Sequence, residues 1–276
     1  MSIVFHKMHG AGNDFVLLDL REQEYTLDPK RAGLISDRQL GVGCDQILAV
    51  HKPENPGNII RYEIWNSDGS QALQCGNGAR CIGHFLDLNG EIEDQPFTLE
   101  SPSGPVIMKK CNDGQYEVEM GTPDFEPANI PLNLSPVKGR YRLETPWEPV
   151  EFGAVSVGNP HALVLVEDIA TIGIDEVGAF ISTHEAFPKG CNVGFAQVDD
   201  RAKIQLRVYE RGCGETLACG SGACAAVAIL KQWDRLDEAV DVLLPGGHLV
   251  IKWPGSKQPI KMKGPAEHVF RGTLNG

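Results

Sequence analysis

The sequence is short of several things, and each shortage removes a class of function. It has no run of ~18 apolar residues, so no segment is long and apolar enough to span a membrane as a helix. Its opening residues, MSIVFHKMHG, are interrupted by polar side chains and do not build the apolar stretch of a secretion signal. Basic residues are outnumbered, 25 Lys and Arg against 37 Asp and Glu, for a net charge of -12. Nucleic acid and anionic membrane surfaces both select a basic face, so neither is an expected partner. A small anionic ligand stays open, because backbone amides can bind one in an acidic protein. The eight cysteines include no Cys-x2-Cys pair; the close spacings are Cys75 to Cys81, Cys213 to Cys219 and Cys219 to Cys224. Structural zinc wants tighter pairs, so no metal site is expected. Without a secretion signal, the thiols read as reduced ones in a cytoplasmic protein.

Glycine and proline are plentiful, 31 and 18 residues, which points to many turns and few long helices. A chain of 276 residues can bury a full core, as one large domain or two ordinary ones. An internal repeat favours two. QCGNGARC at residues 74–81 and ACGSGACA at 218–225 share a cysteine followed by Gly-x-Gly-Ala. With Cys75 set on Cys219, Leu73, Gly76, Gly78 and Ala79 meet Leu217, Gly220, Gly222 and Ala223. GAGNDFVLLDL also matches SVGNPHALVLVED, with Asn13 opposite Asn159, and GVGCDQILAV matches PKGCNVGFAQV, with Cys44 opposite Cys191. Three blocks in one order indicate two copies of a unit of about 120–140 residues.

Each copy reads as a strand bearing the first Asn (14–20 or 162–166), a short helix, two strands, a glycine-rich turn and a second helix. The strands are 46–51 with 59–65, and 194–198 with 203–209; the second helices are the apolar runs 81–88 and 225–230. The first short helix has Asp28 as a natural N-cap before Pro29; its counterpart covers 175–183. Further strands follow at 97–101, 106–110 and 116–120, then at 239–244, 248–252 and 260–263. The Pro-rich residues 121–136 read as the linker. So many strands with so few helices imply a curved sheet wrapped around a helix in each copy.

A cysteine just before a helix meets unsatisfied backbone N–H groups and the positive end of the helix dipole, which lower its pKa toward neutrality. The same N–H groups make a carboxylate site. Two such thiols acting on one carbon from opposite sides suit inversion of a stereocentre, with one removing a proton and the other delivering one. The neighbouring residues are less telling by themselves. Asn13, Asn159 and Asn192 adjoin glycines and read equally as turn residues, and Glu210 and Arg211 read as a solvated charge pair. GAGNDF lacks the third glycine of a dinucleotide fingerprint.

The stretch NSDGSQALQCGNGAR at residues 66–80 resembles the signature of the diaminopimelate epimerase family. MHGAGNDFVLLD, GVGCDQ, SVGNPHAL, PKGCNVGF and YERGCGETLACGSGACA resemble the same family in the same order along the whole chain. The resemblance implies an α/β (α+β) fold of two pseudo-symmetric halves, each a curved barrel-like mixed sheet around a central helix. The halves would be residues 1–120 plus 265–276, and residues 121–264, with the active site in the cleft between them. It implies an isomerase that interconverts LL- and meso-diaminopimelate in lysine and peptidoglycan precursor synthesis, with no cofactor and no metal, and a homodimer. Cys75 and Cys219 would be the acid/base thiols, with His161 and Glu210 positioning or tuning them. Gly76, Asn77, Gly220 and Ser221 would hold the reacting carboxylate. Asn13, Gln46, Asn66, Asn159, Asn192, Glu210 and Arg211 would hold the rest of the substrate. A proline or hydroxyproline racemase on the same scaffold is the alternative; a proline ring offers no second carboxylate for Arg211 to grip.

Overall fold

A computed structural model of the chain describes residues 2–275. The chain folds as two compact units, one running to Glu119 and resuming at Lys263, the other spanning Met120–Met262.

The first unit is built from strands β1 (Ser2–Gly10) and β2 (Asn13–Asp19), helix α1 (Pro29–Ser36), strands β3 (Gln46–His51), β4 (Arg61–Asn66) and β5 (Gln71–Ala72), helix α2 (Gly76–Leu88), and strands β6 (Phe97–Ser101), β7 (Gly104–Lys110) and β8 (Tyr116–Glu119). The second contains β9 (Tyr141–Leu143), β10 (Val150–Ser156), β11 (Pro160–Leu165), α3 (Ile174–Ser182), β12 (Asn192–Asp200), β13 (Lys203–Glu210), β14 (Gly214–Thr216), α4 (Gly220–Gln232), β15 (Ala239–Leu244) and β16 (Gly247–Lys252). The chain leaves the second unit along β17 (Lys261–Gly264) and ends in β18 (Glu267–Asn275), which pairs antiparallel with β1.

The two copies share one pairing scheme. In the first unit β1–β2 is antiparallel, β2–β3 parallel, β3–β4 antiparallel and β4–β6 parallel. In the second, β10–β11, β11–β12, β12–β13 and β13–β15 repeat that order. β2, β3 and β11 each carry four consecutive buried residues, the pattern of strands covered on both faces. In the first unit Val16, Leu18, Ile47 and Trp65 pack with Ala32 and Ile35 of α1. The alternate residues Phe15 and Leu48 turn to the other face, where a Cβ on Gly78 of α2 would lie 3.4 and 2.9 Å from them. α3 covers one face of the second sheet, with Ile174 and Ile181 against Ala162, Val164, Val193 and Phe195. α4 lies on the other: a Cβ on Gly222 would come 3.0 Å from Val208. Both central helices are buried along most of their length, residues 76–83 of α2 and 223–230 of α4 without interruption. A helix apolar on all sides is one enclosed by its sheet.

Three sequence expectations shift. The central helices begin five residues earlier than the apolar runs suggested, because the Gly-x-Gly-Ala stretches are themselves the first helical turns and the cysteines before them are the N-caps. Residues 121–136 are not a free linker: Ile130 and Leu132 are buried in the second core, and Asp124 bridges Ser156. Finally, β1, β10 and β18 were not among the expected strands. His6 and Lys7 interrupt the alternation of β1, and β18 is largely exposed, so neither shows a clear period of two. No helix among the described residues is long and apolar enough to cross a membrane.

The enclosure of α4 leaves little slack. A Cβ at Gly153 of β10 would lie 2.3 Å from Ile229 Cγ2 and 2.9 Å from Trp233 Cζ2. Gly153→Ala should cost about 1–3 kcal/mol by overpacking, and adding Ile229→Ala, which deletes the obstructing methyl, should recover part of that loss. Thermal unfolding of the two single variants and the double variant checks this; strictly additive losses would count against the contact.

Candidate active site

Two polar clusters gather at the N-termini of the central helices, one in each unit. In the first, Cys75 caps α2 in extended conformation, and its Sγ accepts from the Gly78 N–H at 3.4 Å. The thiol also donates to Asn13 Oδ1 at 3.8 Å. Asn77, buried on the first helical turn, donates from Nδ2 to the same oxygen at 3.3 Å. Its own Oδ1 accepts from Arg80 Nη2 at 3.0 Å. Arg80 is fully buried, and its Nε donates to the Pro265 carbonyl at 3.3 Å. Beside this cluster Gln46 Nε2 donates to Asn66 Oδ1 at 2.8 Å.

In the second unit Cys219 caps α4, buried, with the Ser221 hydroxyl 3.6 Å from its Sγ. His161, buried, directs Nε2 toward Asn159 Oδ1 at 3.1 Å, Ser221 Oγ at 3.1 Å and Asn192 Nδ2 at 3.4 Å. His161 therefore reaches the thiol through the Ser221 hydroxyl. Asn192 Oδ1 accepts from the Arg211 backbone N–H at 3.0 Å, while the Arg211 guanidinium donates to the Lys189 carbonyl at 2.6 Å. Glu210 Oε1 accepts from the Thr216 hydroxyl at 2.6 Å.

The strand registers reveal the correspondence between the clusters. Phe15 stands opposite Gln46, and Gln46 opposite Asn66, across β2, β3 and β4. His161 stands opposite Asn192 across β11 and β12, and one step along β12 and β13 Val193 faces Tyr209, which sets Asn192 against Glu210. One rung is thus Phe–Gln–Asn and the other His–Asn–Glu. The first holds no ionisable group and the second holds two. The two thiols therefore sit in electrostatically different surroundings despite the repeated backbone.

That difference appears in the proton affinities. Burial, then the Glu210 carboxylate, pushes the Cys219 thiol well above its ordinary value, against the opposing pull of the Ser221 hydroxyl and the Gly222 N–H. Burial, with the Arg211 charge as the lesser cause, lowers His161 to about 3, so its ring is neutral at physiological pH. The buried thiols Cys44, Cys81 and Cys191 are likewise pushed up by burial. Among the described residues no group of three or more His, Cys, Asp or Glu is arranged to hold a metal ion.

Cys75, Asn13, Asn77 and Gly76 thus fall in one cluster and Cys219, Asn159, His161, Asn192, Ser221, Glu210 and Gly220 in the other, with Gln46 and Asn66 paired beside the first. Arg211 joins the second through its backbone. Arg80 and Thr216 were missed from the sequence, although each holds a site residue. A single Arg in the first turns of a largely apolar helix was the available signal for Arg80; nothing local marks Thr216.

A family model described as diaminopimelate epimerase matches residues 5–126 and 153–269. A diaminopimelate epimerase of Xanthomonas euvesicatoria pv. vesicatoria (strain 85-10) is 49% identical over 272 residues, 98% of this chain and 96% of that protein. One from Xylella fastidiosa (strain 9a5c) is 47% identical over 273 residues, 99% of this chain and 96% of that one. Among solved structures, a hydroxyproline epimerase from Agrobacterium vitis superposes with a TM-score of 0.74 at 15% identity, covering 99% of this chain and 92% of that one. A probable proline racemase from Agrobacterium radiobacter K84 gives 0.73 at 15% identity, covering 99% and 93%. At such identities these two structures establish the α/β fold alone.

Two outcomes follow from the second cluster. The unfolded chain protonates His161 near its ordinary 6.5, whereas the folded chain resists until about 3. The stability linked to it is complete above about pH 6.5 and is lost as the pH falls from there. His161→Phe, which copies Phe15, should flatten the decline of Tm between about pH 6.5 and pH 4; parallel slopes for variant and wild type would refute this. Glu210→Gln removes the carboxylate that helps hold the Cys219 pKa up, so that thiol should ionise at lower pH. Ultraviolet thiolate absorbance, taken as the difference from a Cys219→Ala variant of the same background, reads the shift; an unmoved titration would contradict it.

Proposed function

The chain belongs to the diaminopimelate epimerase family, and from that premise we propose that Cys75 and Cys219 invert one stereocentre of 2,6-diaminopimelate by acting on opposite faces of its α-carbon. The reaction interconverts the LL and meso isomers, an isomerase activity. The observation that carries the assignment of the thiols is their common position: in each unit a cysteine caps the N-terminus of an enclosed helix.

The chemistry balances without a redox partner. One sulfur, as thiolate, takes the α-proton. The electron pair left on carbon spreads into the adjacent carboxylate. The other sulfur, as thiol, delivers its proton to the opposite face, and the configuration is inverted. Neutral thiols are weak bases, so proton affinities must be brought near the operating pH. The N-terminal turns of α2 and α4 supply backbone N–H groups and a positive dipole end, which favour both a thiolate and the charge gathering on the substrate carboxylate. Gly76, Asn77, Gly220 and Ser221 are the residues we assign to that carboxylate. Because the side chains of Asn77 and Ser221 are engaged within their own clusters, their main-chain groups are the better donors. His161, neutral, supports Ser221 and is assigned a positioning role beside Cys219, and Glu210 tunes that thiol.

The distal amino-carboxylate end is assigned to Asn13, Gln46, Asn66, Asn159, Asn192, Glu210 and Arg211. The replacement of a neutral Gln–Asn pair by Asn192 and Glu210 in the second unit is what a substrate with one reacting and one non-reacting end calls for. Arg211 is suited to the distal carboxylate as a bidentate donor. The product class places the reaction in amino-acid biosynthesis, and we assign it to lysine and peptidoglycan precursor formation in the cytoplasm.

The test is isotopic. In D2O the reduced protein should convert LL-diaminopimelate to the meso isomer carrying deuterium at the inverted carbon. Cys75→Ala and Cys219→Ala should each lose about 10²–10⁴-fold in epimerisation, the usual contribution of a positioned acid or base. NMR of the product reads both. Untouched diaminopimelate with exchange into proline or hydroxyproline would overturn the substrate, and full activity in either variant would overturn the two-thiol assignment.

A further inference from the structure

The polar groups around Cys75 form a chain with one permitted direction. Arg80 Nη2 donates to Asn77 Oδ1 at 3.0 Å, Asn77 Nδ2 donates to Asn13 Oδ1 at 3.3 Å, and Asn13 Nδ2 donates to Asp45 Oδ2 at 2.9 Å. A guanidinium has donors and no acceptor, and a carboxylate has acceptors and no donor. With those two groups at the ends, neither amide between them can turn over. A reversed Asn77 would point its NH2 at Arg80, and a reversed Asn13 would point its oxygen at Asp45. The result is that Asn13 presents its oxygen, never its NH2, to Cys75, whose thiol lies 3.8 Å away.

We propose that Arg80 and Asp45 are positioning residues that lock the Asn13 amide with its oxygen toward Cys75, so that the protonated sulfur is the favoured partner in the substrate-free protein. The inference rests on the reading of Cys75 as an acid/base group. A thiolate at that place would face a carbonyl oxygen without a proton between them. Its proton is retained until something else occupies the Asn13 oxygen or the sulfur. The Gly78 N–H at 3.4 Å works in the opposite sense, as a donor to sulfur, so the lock and the helix terminus pull against each other.

Each end of the chain is held from behind. Arg80 is fully buried, and its Nε bonds the Pro265 carbonyl, so it cannot swing away. Asp45 accepts from Arg38 at 2.7 Å through Oδ1 and from the Asp14 N–H at 3.1 Å through Oδ2, while Asp14 is itself held by Lys7 and Arg38. Among the described residues Tyr62 on β4 and Cys81 on α2 also act on Cys75, and burial pushes the pKa of both upward. Arg80 and Asp45 are thus the charges at its two ends, with Asp14 offset by its two cationic partners.

Asp45→Asn tests the lock. Arg38 keeps the oxygen of the substituted side chain by a charge-assisted bond, which turns the newly introduced NH2 toward the Asn13 NH2 and removes the acceptor that held the outer end of the chain. The Asn13 oxygen, still engaged by Asn77, is no longer pressed toward Cys75 from the Asp45 side, and a negative charge has left the neighbourhood of the sulfur. Both changes favour the thiolate, so the Cys75 pKa should fall by about half to one unit, a roughly three- to tenfold gain in thiolate well below the pKa. Iodoacetamide labelling of Cys75, resolved from the other thiols by peptide mass spectrometry across pH, reads this without reference to turnover. Asp45→Ala, which removes the carboxylate and offers no amide, should shift in the same direction. Arg38→Gln breaks the same surface ion pair but removes a positive charge, so it should leave the Cys75 pKa unchanged or raise it. The proposal fails if neither Asp45 variant lowers the Cys75 pKa while both keep the wild-type Tm, or if Arg38→Gln lowers it equally. Epimerisation is assayed in parallel: a shifted Cys75 pKa in a protein whose wild type does not act on diaminopimelate would uphold the lock and overturn the assigned reaction.

Discussion

Everything at the candidate site depends on a sulfur standing at the start of an enclosed helix. A helix terminus leaves backbone N–H groups without partners, and inside a protein they must find one. Here Cys75 and Cys219 occupy the cap positions usually taken by Ser, Thr, Asp or Asn. A thiol caps less well than an oxygen side chain, and stability alone would not select it. Its placement makes sense when the proton on sulfur is to be moved. The enclosing sheets serve the same end: with α2 and α4 buried along most of their length, the caps cannot fray, and the first-turn donors hold their direction.

The glycines of the repeated phrase are explained by the same constraint. Gly78 and Gly222 lie where the helix closes on the sheet, against Leu48 and Val208, and a side chain there would lift the cap off its support. Close approach of helix and sheet is thus tied to the chemistry through packing. The two supports beneath the caps have diverged within that frame. A buried Arg80 fixes Asn77 in one unit, and a neutral buried His161 backs Ser221 in the other. Both are buried polar groups whose desolvation is offset by hydrogen bonds to their neighbours. Their difference, with that between Asn66 and Glu210, breaks the symmetry of the duplicated scaffold.

Much of this was legible in the residues. The duplicated motif indicated two copies of one unit, and the matching of Asn66 to Glu210 by sequence offset is the matching found in the strand registers. The fold class was readable because apolar runs such as those of β2, β3 and β11 are continuous, a signature that survives without any long-range information. The helix starts were not, since glycines report turns and N-terminal helical turns alike. β1 was obscured by His6 and Lys7, and β18 by its exposure; strands at the margin of a core carry weak periodicity.

By itself the sequence determined the residue types of the site, their order and their duplication, together with the acidic charge balance. These are local or additive properties, and each can be read one stretch at a time. Tertiary structure alone decided which polar groups meet. That Asn13 receives both Asn77 and the Cys75 thiol, that Asp45 holds its other end, and that His161 stands behind Ser221 involve partners between 32 and 64 residues apart in the chain. Hydrogen-bond direction, burial and the proton affinity of a thiol are set by such neighbours, and neighbours exist only once the sheet has closed around its helix.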